Sequence, residues 1–194
     1  LSQSERKCNF LDNHDTDRFY STVGNDIRKY KLGFALLMIN RGIPQMYYGF
    51  EINLFGNRQK GDADIRKDFP GGWPDDKRDA FTENGRTKSE NDIWDYCSRL
   101  LNWRKENNTI HNGKTMQFIP LRDGVYSIFR YDKKKVIGLL INPNEKEVKI
   151  NSDRFDELTK SQKNFVDILD GKKKKWSKKI SIPPVGFRLI EFKL

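Results

Sequence analysis

Apolar positions recur with two different periods along this chain, and their order sketches a fold. Residues 8–11, Cys8-Asn9-Phe10-Leu11, form a short strand-like run. Ile27, Tyr30, Phe34, Leu37 and Met38 then follow at three- and four-residue steps, the spacing of one helix face. Asn25 is the predicted cap, and Asn40, Gly42 and Pro44 are stop signals. Residues 45–48 predict the next short strand. From 49 to 88 no period survives, and a loop of that length inside a compact domain is characteristically functional or disordered. A second helix is predicted after it, with Ser89 and Asp92 as a capping box and Ile93, Cys97, Leu100, Leu101 and Arg104 along one face.

Beyond about residue 108 the helical period gives way to short strand-like runs. These are 125–131, 136–141, 147–150, 165–169, 179–182 and 187–192, with Asn142-Pro143-Asn144 and Asp170-Gly171 as turn signals between them. The alternation in the first part predicts βα units on a parallel sheet. The second part predicts an antiparallel β-sandwich, with the boundary between residues 1–108 and 109–194. No internal repeat is visible in either.

Composition narrows the class. Charged residues are 33% and hydrophobic ones 36%, and 13 Phe, 7 Tyr and 4 Trp are too many aromatics for a disordered polyelectrolyte, so a folded, soluble protein is predicted. The longest apolar run, residues 34–39, is far short of the ~20 residues a bilayer span requires. The first residues carry neither an initiator Met nor a signal pattern, so the chain is expected to begin within a longer protein, and this leaves its compartment open. Cys8 and Cys97 make no disulfide framework and predict two unbridged, buried thiols. The net charge of +10 raises a nucleic-acid-binding reading. Against it, Lys133, Lys134 and Lys135 and the run 172–175 fall between strands, where a turn would leave them solvated.

One segment is dense in chemistry. Asp12, Asn13, His14, Asp15, Asp17 and Arg18 follow directly on the first strand, where α/β enzymes of this connectivity carry their active groups. An EF-hand is excluded because neither its Gly nor its Glu follows the Asp15-x-Asp17 pair. A lone histidine without Cys or His partners makes a poor zinc site. On residue types alone, a polar turn remains open beside a catalytic loop. The 49–88 loop holds Phe55, Phe69 and Trp73 among glycines and aspartates, a mixture suited to sugar, because aromatic faces stack on pyranose rings and carboxylates accept hydroxyl hydrogen bonds.

The motifs in order carry a resemblance. Phe10-Leu11-Asp12-Asn13-His14-Asp15 is similar to the motif closing strand seven of the (β/α)8 barrel in the α-amylase family, glycoside hydrolase family 13. Gly42-Ile43-Pro44-Gln45-Met46-Tyr47-Tyr48-Gly49 resembles that family's strand-eight motif. Arg66-Lys67-Asp68-Phe69-Pro70-Gly71-Gly72-Trp73 resembles the cyclomaltodextrinase and neopullulanase branch, particularly the starch-utilisation amylases of Bacteroides-type bacteria. The later strands are similar to the small β-domain that follows the barrel.

The resemblance implies the last quarter of a (β/α)8 TIM barrel followed by an antiparallel β-domain, in a retaining hydrolase of α-1,4-glucans such as starch, maltooligosaccharides or cyclodextrins. It implies that Asp15 is the carboxylate stabilising the oxocarbenium-like transition state and that His14 binds sugar hydroxyls in the cleavage subsite. Asp62 and Arg66 align with a pair that binds glucose units further along, although a surface ion pair is an alternative. Trp73, with Phe69, stands as a stacking platform or as packing for its loop. Tyr47 and Tyr48 are expected to pack, the role of Glu51 is left open by the unusual Phe50 before it, and His111 is expected at the surface. The nucleophile and general acid would lie upstream, so this chain alone is expected to be inactive and to need the remainder of the barrel as its partner. No cofactor and no metal is implied, and a periplasmic or secreted location is favoured. A noncatalytic carbohydrate-binding module and a basic nucleic-acid-binding domain are the alternatives from other classes.

Overall fold

The computed structural model describes residues 7–194. The chain divides into two compact units. One holds the described chain up to Leu37 together with Gly42–Asn102, and the other holds Met38–Arg41 with Trp103–Leu194.

In the first unit, β1 (Cys8–Asn9) leads through α1 (Phe19–Thr22) and α2 (Ile27–Ile39) to β2 (Ile43–Pro44), which pairs with it in parallel, Cys8 opposite Ile43. Two backbone bonds hold the pair, Ile43 N to Lys7 O at 2.9 Å and Gln45 N to Asn9 O at 2.8 Å. The strand expected at 45–48 therefore lies earlier, because pairing ends where Asn9 leaves the sheet. Cys8 is exposed rather than buried, since this short strand has a neighbour on one side only among the described residues; Cys97 is buried as expected.

α2 forms where the periodicity places it, but its cap is Asp26, not Asn25. The Asp26 carboxylate accepts from Arg28 N at 2.8 Å, while Asn25 sits at φ 58° in the preceding turn. Bonds from the Arg28 side chain hold the Asp26 pKa down at about 2. The buried face of α2 carries Tyr30 and Phe34, which stack with Phe50 at centroid separations of 4.4 and 5.1 Å, and the Tyr30 hydroxyl donates to Phe50 O. Phe19 covers Gly33 so closely that a Cβ there would lie 2.4 Å from its ring, which is why a glycine stands mid-helix despite its cost.

The aperiodic stretch contains 3-10 turns at Phe50–Ile52 and Arg58–Lys60 and the short α3 (Asp62–Ile65). α4 (Lys88–Lys105) follows. Its capping box is Thr87 with Glu90, two residues before the expected pair: Thr87 N donates to Glu90 Oε2 at 2.7 Å and Glu90 N to Thr87 Oγ1 at 3.2 Å.

In the second unit, α5 (Asn108–Asn112) is followed by β3 (Lys114–Phe118), β4 (Tyr126–Tyr131), β5 (Lys135–Asn142), β6 (Val148–Asn151), α6 (Asp156–Thr159), β7 (Asn164–Asp167), β8 (Lys173–Lys175), β9 (Lys179–Ile182) and β10 (Gly186–Lys193). Six strands form one antiparallel sheet in the order β3-β4-β5-β10-β7-β8, and β6 pairs with β9 in a second. The two sheets share one core. Ile150, Ile180 and Ile182 from the small sheet pack with Phe129, Val136, Leu140, Ile190 and Phe192 from the large one, and Phe155 fills the space between. The lysines at 173–175 form the edge strand β8 rather than a turn, and β3 was not visible as a strand in the sequence. Among the described residues no helix is long and apolar enough to cross a membrane.

Candidate functional site

The polar segment after β1 is built outward from Asp12. This residue is 3% exposed, and its carboxylate accepts from Phe19 N at 2.8 Å, which closes the loop between strand and helix. Burial raises its pKa, against the lowering effects of that bond and of the Arg18 charge. Within the loop, Asn13 Oδ1 accepts from Asp15 N at 2.9 Å and Asn13 N donates to Thr16 Oγ1 at 3.0 Å. This turn directs His14 and Asp15 outward.

Arg18 is the anchor. It is 1% exposed; its Nε donates to Ile65 O at 2.8 Å and its Nη1 to Tyr48 O at 2.6 Å. The Tyr47 and Tyr48 rings lie 4.2 and 4.5 Å from the guanidinium carbon, and Arg18 N donates to Gly56 O at 3.0 Å. One side chain thus ties the loop after β1 to the segment after β2 and to the end of α3. The two tyrosines, expected as packing, pack over a buried cation, and Tyr48 stays 37% exposed with its hydroxyl donating to Lys67 O.

That tie brings α3 against the loop. Arg66, the residue after Ile65, donates from Nε to His14 O at 3.0 Å and from Nη2 to Asp15 Oδ1 at 3.3 Å, and it pairs with Asp62 at 3.0 Å. His14 Nε2 lies 3.1 Å from Asp15 Oδ2. Each oxygen of Asp15 therefore has a partner, and the carboxylate remains 53% exposed. Four of the sequence-derived candidates, His14, Asp15, Asp62 and Arg66, form one connected group.

Trp73 is 63% exposed on the following loop; among the described residues no hydrogen bond or ring contact ties it to those four. Arg58 was missed in the sequence. Its Nη1 donates to Asp15 O, and its backbone N donates to Asp17 Oδ1 at 2.5 Å, so Asp17 holds the Arg58–Lys60 turn instead of pointing into the group. Nothing in the sequence marks a residue forty positions away as a neighbour. Glu51 is half-buried, and burial raises its pKa. His111 is exposed, with Nε2 2.8 Å from Arg104 O. Among the described residues no group of three or more His, Cys, Asp or Glu could hold a metal ion.

Residues 1–113 match the family described as "Alpha amylase, catalytic domain". The chain belongs to the α-amylase family, glycoside hydrolase family 13. Residues 115–191 match the "Cyclo-malto-dextrinase C-terminal domain". Among curated relatives, a cyclomaltodextrinase of Geobacillus thermopakistaniensis is 25% identical over 191 residues, covering 96% of this chain and 29% of its own length. The α-amylase SusG of Bacteroides thetaiotaomicron is 38% identical over 80 residues, covering 41% of this chain and 11% of its own length. The chain thus spans less than a third of the length of either. The crystal structure of an Anoxybacillus α-amylase superposes with a TM-score of 0.73 at 22% identity over 99% of this chain and 39% of that one, a likeness of fold.

Proposed function

We propose that this α-amylase-family chain supplies strands seven and eight of a (β/α)8 barrel, residues 1–108, with the C-terminal β-domain at 109–194. The complete protein would be a retaining hydrolase of α-1,4-glucans. The observation that carries the reading is the convergence of His14, Asp15, Asp62 and Arg66 at the carboxyl end of β1, the end where barrel enzymes place their chemistry.

Asp15 is the transition-state carboxylate. Its exposed oxygens face solvent where a sugar ring would enter, and the contacts from His14 and Arg66 fix its direction before substrate arrives. Positive charge developing at the anomeric carbon is stabilised by that fixed negative charge. The imidazole of His14 hydrogen-bonds ring hydroxyls, while Asp62, Arg66 and Trp73 bind neighbouring glucose units. The nucleophile and general acid, ~5–5.5 Å apart in a retaining site, come from strands four and five of the barrel, outside this chain.

The test has two arms. Asp15→Asn in the complete catalytic protein lowers kcat by about a hundredfold at unchanged fold, since one preorganised electrostatic group is worth ~3 kcal/mol. Asp17→Asn does much less, because its carbonyl oxygen can still accept from Arg58 N. The isolated 194-residue chain releases no reducing sugar from maltooligosaccharides. Near-normal turnover with Asn at position 15, or hydrolysis by the isolated chain, refutes the assignment.

A further inference from the structure

The loop between α3 and α4 lacks regular structure yet is stitched throughout. Its two arms meet where Ala80 N donates to Pro70 O at 2.9 Å, and Ala80 is fully buried at that seam. Gly71 lies at φ 103° so close to Asp79 that a Cβ would fall 2.4 Å from its carboxylate. The tip is fixed by Asp76 Oδ2, which accepts from Gly71 N at 2.6 Å and Trp73 N at 3.1 Å. The base is fixed by Arg78, whose guanidinium makes two 2.7 Å bonds to Glu90 in the first turn of α4, and by Arg86, which donates to Ala80 O and Phe81 O and lies over the Trp94 ring at 4.1 Å.

This scaffold presents Phe81 to solvent with the half-buried Phe69 beside it. The Phe69 and Phe81 ring centroids are 4.4 Å apart at 40°, and Phe81 is 58% exposed. Exposed carboxylates lie close to both rings along the chain, Asp68 beside Phe69 and Glu83 two residues after Phe81, while the Asp79 carboxylate accepts from Phe81 N at 2.9 Å and holds that residue's backbone. A pair of rings is far smaller than the ~800 Å² per partner of a stable protein interface. It matches one pyranose face, with the carboxylates of neighbouring residues available to sugar hydroxyls, and its rigidity removes the ordering cost that weak ligands cannot offset.

We propose that Phe69 and Phe81 form a stacking site for a glucose unit of an α-glucan. The class of ligand rests on the function proposed above; the site itself rests on the loop. The test is titration of the 194-residue protein with maltoheptaose, followed by calorimetry and amide chemical shifts, with cellohexaose as the control of opposite linkage. Saturable millimolar binding is expected, with shifts at residues 69–72 and 79–83. Phe81→Ala weakens it about five- to tenfold, Phe81→Tyr retains it, and Lys133→Ala, in the exposed turn before β5, leaves it unchanged, all with unaltered circular dichroism. Wild-type binding that survives Phe81→Ala, or no saturable binding at all, overturns the site. Loss on Asp15→Asn but not Phe81→Ala also overturns it and leaves the proposed function standing. Equal affinity for cellohexaose overturns the α-glucan assignment. Failure of the proposed function is read separately, from turnover of the complete protein with Asn at position 15.

Discussion

Arg18→Met is the most direct probe of how the candidate site is held together. Methionine keeps much of the side-chain volume but has no donor, so Ile65 O and Tyr48 O lose their bonds of 2.8 and 2.6 Å, and the Tyr47 and Tyr48 rings lose their cation. Hydrogen bonds to a charged group contribute ~1.5–3 kcal/mol each, and a desolvated cation–π contact ~2 kcal/mol. Against this stands the desolvation of a guanidinium that is 1% exposed, which the variant avoids. The net loss should be about 3 kcal/mol, a large part of the ~5–15 kcal/mol that stabilises a typical domain. Arg18→Lys should fall between, because one ammonium cannot span both carbonyls as the planar fork does.

The loss should also depend on pH. Burial raises the pKa of both Asp12 and Glu51, and the Arg18 charge works against that rise in each. Without it both pKa values climb further. A carboxylate whose folded pKa exceeds its unfolded one destabilises the fold fully above the folded value and not at all below the unfolded value. The deficit of Arg18→Met is therefore largest at neutral pH and shrinks as pH falls through the raised values toward the ordinary carboxylate range. Urea unfolding monitored by hydrogen exchange in peptides covering residues 49–66 measures it. A variant within ~0.5 kcal/mol of wild type at neutral pH, the scatter of unremarkable surface changes, or a deficit that grows on acidification, refutes the reasoning.

Ellman titration should find one thiol reactive in the native chain and two after denaturation, because Cys8 is exposed whereas burial, reinforced by the Glu51 charge, drives the Cys97 pKa far up. Thr87→Ala should cost ~1 kcal/mol in thermal unfolding through loss of the α4 cap. Burial raises the Glu90 pKa, but bonds from Arg78 and Thr87 outweigh it, so the net value is lowered. The contribution of Glu90 is then present above the ordinary glutamate value and lost as pH falls through the depressed one, and melts of Glu90→Gln and wild type should converge in acid. Amides at 8–11 and 45–48 should exchange faster than those at 136–141, since β1 and β2 share a two-residue ladder while β5 is paired along both sides.

What the sequence made legible follows from the range of the interactions concerned. The body of α2 was readable because its periodicity is local, and so was the dense polar run after β1. Both caps were misplaced by one or two residues, because Asn25 and Asp26, or Thr87 and Ser89, offer equivalent acceptors and only the backbone path selects between them. β3 and β8 were invisible for another reason. Lys114–Phe118 offers only two apolar residues, Met116 and Phe118, and Lys173–Lys175 none, because each is an outer strand of the large sheet. The grouping of Asp15 with Arg66 was suggested only through resemblance, and Arg58 not at all, since contacts across forty or fifty residues leave no local trace.

Total charge was the least informative feature, and its distribution explains why. Residues 1–37 and 42–102 hold 15 basic and 16 acidic side chains, while residues 38–41 and 103–194 hold 22 and 11, so the whole excess lies with the sheet unit. Six of those lysines fall between 172 and 179, and Lys173 and Lys175 are exposed on β8, the last strand of the large sheet. An edge strand presents unpaired backbone groups to any passing strand, and charged side chains along it oppose such pairing. The paired cation on the same strand fits this account: Lys174 bonds Asp167 at 2.6 Å and Asp170 at 2.7 Å, fixing the β7–β8 turn while its neighbours remain in water. The charge that suggested a nucleic-acid ligand thus has a structural explanation within the sheet. The candidate site lies in the unit with almost no net charge, as suits the neutral sugar proposed for it, whose recognition would depend on directed hydrogen bonds and ring faces rather than long-range attraction.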